Sequence, residues 1–186
     1  SSEAKSHLKD GAMVLIQGEV TLYEARGQYQ MIVRKLELQG RGALQIKFEK
    51  LKAKLDDEGL FAVERKKKIP QFPARIGVIT SPTGAALRDV VHVIQRRDPS
   101  LELVLAPCRV QGDGASAEMG MAIKQLNRWS AKSGNRLDLV LLTRGGGSLE
   151  DLWGFNEESL ARAIASSTLP IVSAVGHEID FMISDF

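Results

Sequence analysis

The feature that most constrains this chain is an alternation, over residues 75 to 175, of short apolar runs with longer segments of helical spacing. The runs are Arg75-Ile76-Gly77-Val78-Ile79-Thr80, Leu101 to Pro107, Leu137 to Thr143 and Pro170 to Val175. Continuous Val, Ile and Leu suit strands covered on both faces. Between them the spacing predicts helices from about Pro82 to Arg97, Ala115 to Ala131 and Asn156 to Ser166, with Met119, Ile123, Leu126 and Trp129 along one face of the second. Such alternation predicts an α/β fold, a parallel sheet with helices on both faces. Ligands of open sheets bind outside the carboxyl ends of the strands, so the loops there are the place to look for chemistry.

Each strand is followed by a glycine-bearing loop: Ser81-Pro82-Thr83-Gly84, Gln111-Gly112-Asp113-Gly114, Arg144-Gly145-Gly146-Gly147-Ser148 and Gly176-His177-Glu178-Ile179-Asp180. In the first, Ser81 is the predicted helix N-cap with Pro82 at the first helical position, and the free N–H groups there favour a phosphate. Ordinary capping accounts for the same residues equally well. Ala85, Asp89 and His92 follow at i, i+4 and i+7, so Asp89 is expected to share a face with a small residue that leaves space above it. Arg88 can pair with phosphate or with a surface carboxylate.

In the third loop, Gly145, Gly146 and Gly147 remove every Cβ where a backbone can approach a ligand. Arg144 before them offers a bidentate fork to phosphate, and charge that can stabilise a phosphorane-like transition state. Ser148-Leu149-Glu150-Asp151 has the form of a capping box. There is no GxxxxGK[ST] motif, and no GxGxxG follows a strand, so ATP or NAD binding is not supported. In the fourth loop, His177 and Asp180 are three residues apart, on one face if the segment opens a helix. An imidazole there can act as base or acid, and the carboxylate can orient it or position water.

Residues 11 to 38 read as a β-hairpin, with Met13 to Ile16 and Val20 to Tyr23 before a turn at Arg26-Gly27, and an alternating run from Gln28 to Val33 after it. Two strands alone are marginal in water, so the chain is expected to begin inside a β-domain whose earlier strands lie outside it. Leu44, Phe48, Leu51 and Leu55 then fall at i, i+4, i+7 and i+11 of a helix, with Gly59 as its C-cap. The charged, proline-punctuated stretch from Glu64 to Pro73 is the predicted boundary.

Hydrophobic residues make up 44% of the chain and its charges nearly cancel, which excludes a long disordered protein. No apolar run reaches the roughly 18 residues of a membrane span, and Ser1-Ser2-Glu3-Ala4-Lys5 lacks the order of a signal peptide. With Cys108 as the single cysteine there is no intramolecular disulfide or cysteine-based zinc site. A cytoplasmic protein without a membrane partner is expected. The net charge of +2 does not itself argue for a polyanion. Lys47, Lys50, Lys52 and Lys54, and the block Arg65-Lys66-Lys67-Lys68, keep nucleic acid open, although charge runs are usually solvated faces.

Three segments together carry a resemblance: Ile76 to Ser81 running into Gly84-Ala85-Ala86-Leu87-Arg88-Asp89, Arg144 to Trp153, and Ser173 to Asp180. The chain resembles the large subunit of the exodeoxyribonuclease VII family over nearly its whole length. Its hairpin is similar to the last strands of that family's oligonucleotide-binding (OB-fold) barrel. The resemblance implies residues 1–42 as a partial OB-fold, 43–73 as connector helix and linker, and 74–186 as a catalytic domain truncated at its C-terminus. It implies an exonuclease that degrades single-stranded DNA to short oligonucleotides, in a complex with several copies of a small subunit. The family's catalytic positions match Asp89, Arg144, His177 and Asp180. Ser81, Gly84, Arg88, Gly145, Gly146, Gly147 and Ser148 are the expected substrate-binding positions. A chain that starts within the barrel and stops six residues after Asp180 is expected to bind DNA poorly and to be inactive alone.

The expected chemistry is phosphodiester hydrolysis, with His177 activating water or protonating the leaving oxygen and Arg144 with the glycine-loop N–H groups holding phosphate. Asp89 and Asp180 would position His177, water or a cation. If that cation is Mg2+, they supply two ligands, with Asp113, Glu150, Asp151 and Glu178 as further carboxylates, and the metal requirement stays open. Two other readings remain: a single-stranded nucleic-acid-binding or assembly module without catalysis, and a small-molecule phosphotransferase.

Overall fold

The computed structural model describes residues 14–23, 27–38 and 41–186. The chain divides into two compact units, Ser1–Lys50 and Leu51–Phe186.

In the first unit, β1 (Val14–Tyr23) and β2 (Gln28–Leu38) form an antiparallel pair. Gln17 faces Lys35 while Gly18 faces Val33, so Arg34 is the additional residue of a β-bulge. Its guanidinium pairs with Glu19 at 2.7 Å. Leu15, Val20, Tyr29 and Ile32 are exposed, the surface expected of a ribbon too small to make its own core. Met13 and Arg26, assigned above to strand and turn, lie outside the described residues.

Helix α1 (Arg41–Asp57) carries the predicted stripe: Leu55 is fully buried, and Leu44, Phe48 and Leu51 are half-buried. It ends as predicted at Gly59, in the left-handed region at φ +72°. Leu60 N–H donates to the Leu55 carbonyl at 2.9 Å and Gly59 N–H to that of Asp56 at 2.8 Å. These two bonds satisfy carbonyls that a helix end leaves open.

The second unit then runs β3 (Arg75–Thr80), α2 (Ala85–Arg97), β4 (Glu102–Pro107), α3 (Ala115–Ser130), β5 (Leu139–Arg144), α4 (Glu158–Ala165) and β6 (Ile171–Val175). Short 3-10 turns at Trp153–Asn156 and Ile183–Asp185 flank the last helix and strand. The strands form one parallel sheet in the order β4-β3-β5-β6, the expected α/β architecture. The order reverses between β3 and β5, which makes that gap the switch point of the sheet.

Helices cover both faces, unequally. Ile79, Val140 and Leu142 join Met119, Ile123 and Leu126 of α3 and Leu160 of α4 in the main core. On the other face the buried hydrophobic cluster is small, Ile76, Val78 and Leu139, with Leu87 and Ile94 of α2 packed against it, and α2 itself has no buried residue. Gly77 explains the close seat of α3: a Cβ there would lie 2.7 Å from Leu126 Cδ1.

Some boundaries shift for local reasons. β5 starts at Leu139 rather than Leu137, because Leu137 N–H is taken by Ser130 Oγ at 2.9 Å and the Asp138 carboxylate accepts from Ala74 N–H at 2.7 Å. α4 starts at Glu158 rather than Asn156. Asn156 is buried and used elsewhere, its Oδ1 accepting Ile183 N–H at 2.8 Å. Among the described residues, no helix is long and apolar enough to cross a membrane.

Candidate active site

Because all four strands run the same way, the loops after Thr80, Pro107, Arg144 and Val175 emerge along one edge of the sheet. The last of them is held by its own hydrogen bonds. Gly176, at φ +76°, turns the chain out of β6, and a Cβ there would meet Asp180 Oδ2 at 2.6 Å. The following residues form a tight turn rather than a helix: Asp180 N–H donates to the His177 carbonyl at 2.9 Å, and His177 N–H donates to Asp180 Oδ2 at 2.8 Å. The same carboxylate oxygen lies 3.3 Å from His177 Nδ1. A three-residue spacing therefore brings the pair together as expected, by a carboxylate that closes its own loop instead of by helical pitch. The imidazole remains 71% exposed.

The triple-glycine loop is shaped around the site's own side chains. A Cβ on Gly146 would overlap the Cε1–Nε2 edge of His177, and one on Gly147 would overlap the Arg144 guanidinium. The expectation that these glycines clear space for a ligand is thus refined: Gly146 and Gly147 first make room for two candidate catalytic groups. Arg144 is only 11% exposed. Its Nη1 donates to the carbonyls of Gly145 and Gly146, its Nη2 to Gln111 Oε1 at 2.7 Å, and Asp151 Oδ2 stands 3.9 Å away.

The predicted capping box is present. Ser148 N–H donates to Asp151 Oδ2 at 3.2 Å, and Asp151 N–H donates back to Ser148 Oγ at 3.2 Å, with the Ser148 hydroxyl also donating to Asp151 Oδ2 at 3.0 Å. Hydrogen bonds from the Ser148 backbone and hydroxyl, followed by the Arg144 charge, hold the Asp151 carboxyl below its usual range.

Asp89, Arg144, His177 and Asp180 all line one cleft of about 850 Å³. Glu178 lines it too, with Phe61, Arg65, Lys66 and Lys67 from the segment ahead of the sheet. Asp89 is exposed on α2 and makes no side-chain hydrogen bond among the described residues. Ala86 and Val90 accompany it at the wall, so Ala86, rather than Ala85, is the small neighbour that opens the space.

The first loop departs from expectation. Gly84 N–H donates to the Ser81 carbonyl at 3.2 Å and closes a turn over 81–84, so the helix begins only at Ala85. Gly84 is the N-cap and no side chain caps the helix; the Ser81 hydroxyl lies 3.4 Å from that of Thr83. Ser81, Gly84, Gly145 and Gly146 line a second cavity on the far side of Arg144, together with Thr80, Arg109 and Gln111. Arg88 is exposed and lines neither space, and neither do Gly147 and Ser148.

Metal fit is weak by geometry. Asp180 Oδ2 is committed to the His177 turn, and among the described residues no three His, Cys, Asp or Glu side chains gather as a metal-binding group. Of the further carboxylates, Glu178 alone lines the cleft; Asp151 is held by Ser148, and Asp113 and Glu150 line neither space. The sequence reading missed Gln111, which fixes Arg144, and Thr80. Each belonged to a segment already singled out, but neither residue belongs to a motif that would have marked it.

The profile described as exonuclease VII, large subunit, matches residues 60–186. The chain belongs to that family. A second profile, of an OB-fold nucleic-acid-binding domain, matches residues 1–37. Among curated relatives, the exodeoxyribonuclease 7 large subunit of Geobacter sulfurreducens is 50% identical over all of this chain and 40% of its own length. Those of Stenotrophomonas maltophilia and Geotalea uraniireducens are 54% and 52% identical over 96% of the chain and 39% of their own length. The chain thus spans about two fifths of the exonuclease VII large subunits it matches. All four residues of the cleft fall within the segment matched by the exonuclease VII profile.

Proposed function

We propose that this chain is the catalytic part of an exonuclease that hydrolyses phosphodiester bonds of single-stranded DNA to short oligonucleotides, as the large subunit of a complex with a small subunit. The observation that carries the reading is His177, tethered by Asp180 and seated against the loop that holds Arg144. Family membership gives this geometry its substrate class.

The Asp180 oxygen beside Nδ1 favours the proton on that nitrogen and leaves Nε2 as the working atom. Nε2 can take a proton from water or, when protonated, give one to the leaving oxygen. Arg144, held rigid by carbonyls and Gln111, offers fixed positive charge to the developing phosphorane-like state. Asp89, on α2 at the same cleft, positions water or a cation. Arg65, Lys66 and Lys67 along the same cleft suit a polyanion, whose binding should weaken with salt.

Residues 1–42 are proposed as part of a DNA-binding barrel, for which the OB-fold match over residues 1–37 is the support, with 43–73 as connector and 74–186 as the catalytic domain. A cytoplasmic location agrees with the single cysteine. The test is single-strand digestion by the full-length protein with its small subunit, with and without chelator. His177→Ala should bind single-stranded DNA normally and cleave none of it. Normal cleavage by that variant would remove His177 from the chemistry, whereas salt-dependent binding without turnover in the unmutated complex would favour a binding module.

A further inference from the structure

The second cavity, of about 440 Å³, opens between the loops that follow β3 and β5, at the switch point of the sheet. Its chemistry is unlike that of the large cleft. Asp89, Glu178, Asp180 and Asp185 line the cleft, whereas among the described residues no carboxylate lines the second cavity. Arg144 lines both.

Two independent features point to an anion. Helix α2 is 13 residues long, no side chain caps it, and its first residues, Ala85 and Ala86, form part of the wall. Uncapped N–H groups with the helix dipole behind them attract phosphate. Thr80, at the end of β3, is 1% exposed and lines the same cavity, yet its side chain makes no hydrogen bond among the described residues. No side-chain oxygen among the described residues is sealed from solvent without a partner. The Thr80 hydroxyl is therefore not sealed off, and it is a donor without a protein acceptor among the described residues, on a residue that lines the cavity. Arg109 at the wall is locked in place by Glu118, its Nε donating to Oε1 at 2.6 Å.

We propose that this cavity is a second phosphate subsite, holding the phosphodiester next to the one placed against His177, with Arg144 shared between them. The proposal rests on the reading of the large cleft as the cleavage site. A strand then needs two consecutive charged linkages to fill both spaces, which sets a minimum length for a good substrate.

The test uses full-length protein with its small subunit in a His177→Ala background, so that the probe survives. The probes are short oligothymidylates made neutral with methylphosphonates except at one linkage, or at two adjacent linkages, and binding is followed by fluorescence anisotropy at constant salt. The second charge should tighten binding roughly tenfold, the scale of charge-assisted hydrogen bonds. Thr80→Val should lose most of that gain, and Thr80→Ser, which keeps the hydroxyl, should retain it. An equal gain in all three proteins would overturn the subsite. Failure of unmutated complex to cut fully charged DNA would instead overturn only the nuclease reading, because the binding comparison does not depend on turnover.

Discussion

The His177 ring occupies the space that a side chain on Gly146 would need. Two loops from neighbouring strands, β5 and β6, are thereby interlocked at the proposed site, with the missing Cβ of one forming the seat for the imidazole of the other.

Gly146→Ala should therefore displace His177 without unfolding the sheet. A misplacement of about 1 Å is enough to lower turnover roughly a hundredfold. Single-turnover cleavage should fall on that scale while DNA binding and far-UV circular dichroism stay unchanged. Unaltered cleavage would mean that the ring works from another position.

Among the described residues, Gln111 is the one side-chain acceptor at hydrogen-bond distance from Arg144. Gln111→Leu keeps the bulk and removes that bond, which for a charged donor is worth about 1.5–3 kcal/mol. Cleavage should drop by roughly ten- to a hundredfold, less than for Arg144→Ala. Arg144→Lys should not rescue activity, since an ammonium cannot reproduce the fork held by two carbonyls and an amide.

Asp151 gives a pH signature. Its carboxyl is held below the usual range by Ser148 and then Arg144, so its ionised form favours the folded state. That contribution is present above the unfolded-state pKa and is lost as the pH falls through the lower folded-state value. Asp151→Asn should accordingly lower Tm at neutral pH, and the gap from the unmutated protein should close on acidification. A gap independent of pH would assign the loss to shape rather than charge.

Asn156 ties the chain just beyond the His177–Asp180 turn to the core, accepting Ile183 N–H and donating to Met182 Sδ at 3.2 Å. Asn156→Ala leaves a buried N–H without a partner and should cost about 1–3 kcal/mol. Urea denaturation measures the loss, and Asn156→Asp, which keeps an acceptor, should recover part of it.

The alternation between Arg75 and Val175 predicted the parallel sheet because continuous apolar runs admit few other arrangements, and the strand-end rule led directly to Arg144 and His177. The order β4-β3-β5-β6 was not legible, since strand neighbours are chosen by packing, as at Gly77 beneath Leu126, and not by any local pattern. Ser81 was misread as a cap because Ser-Pro before an apolar stretch fits a helix start as well as it fits a turn that uses the Ser81 carbonyl. His177 and Asp180 were paired correctly for a wrong geometric reason. A three-residue separation suits both a helix and a carboxylate-closed turn. Gln111 and Thr80 went unnoticed because their importance lies wholly in what other segments bring beside them.

The unequal cover of the sheet gives the site a fixed half and an adjustable one. Arg144, His177 and Asp180 extend from strands anchored in the larger core, whereas Asp89 rides on α2, which buries no residue of its own. Elements with few buried contacts open at low energy. The proposed site thus joins a firmly packed part, which carries the imidazole and guanidinium, to a lightly packed helix that carries a single carboxylate.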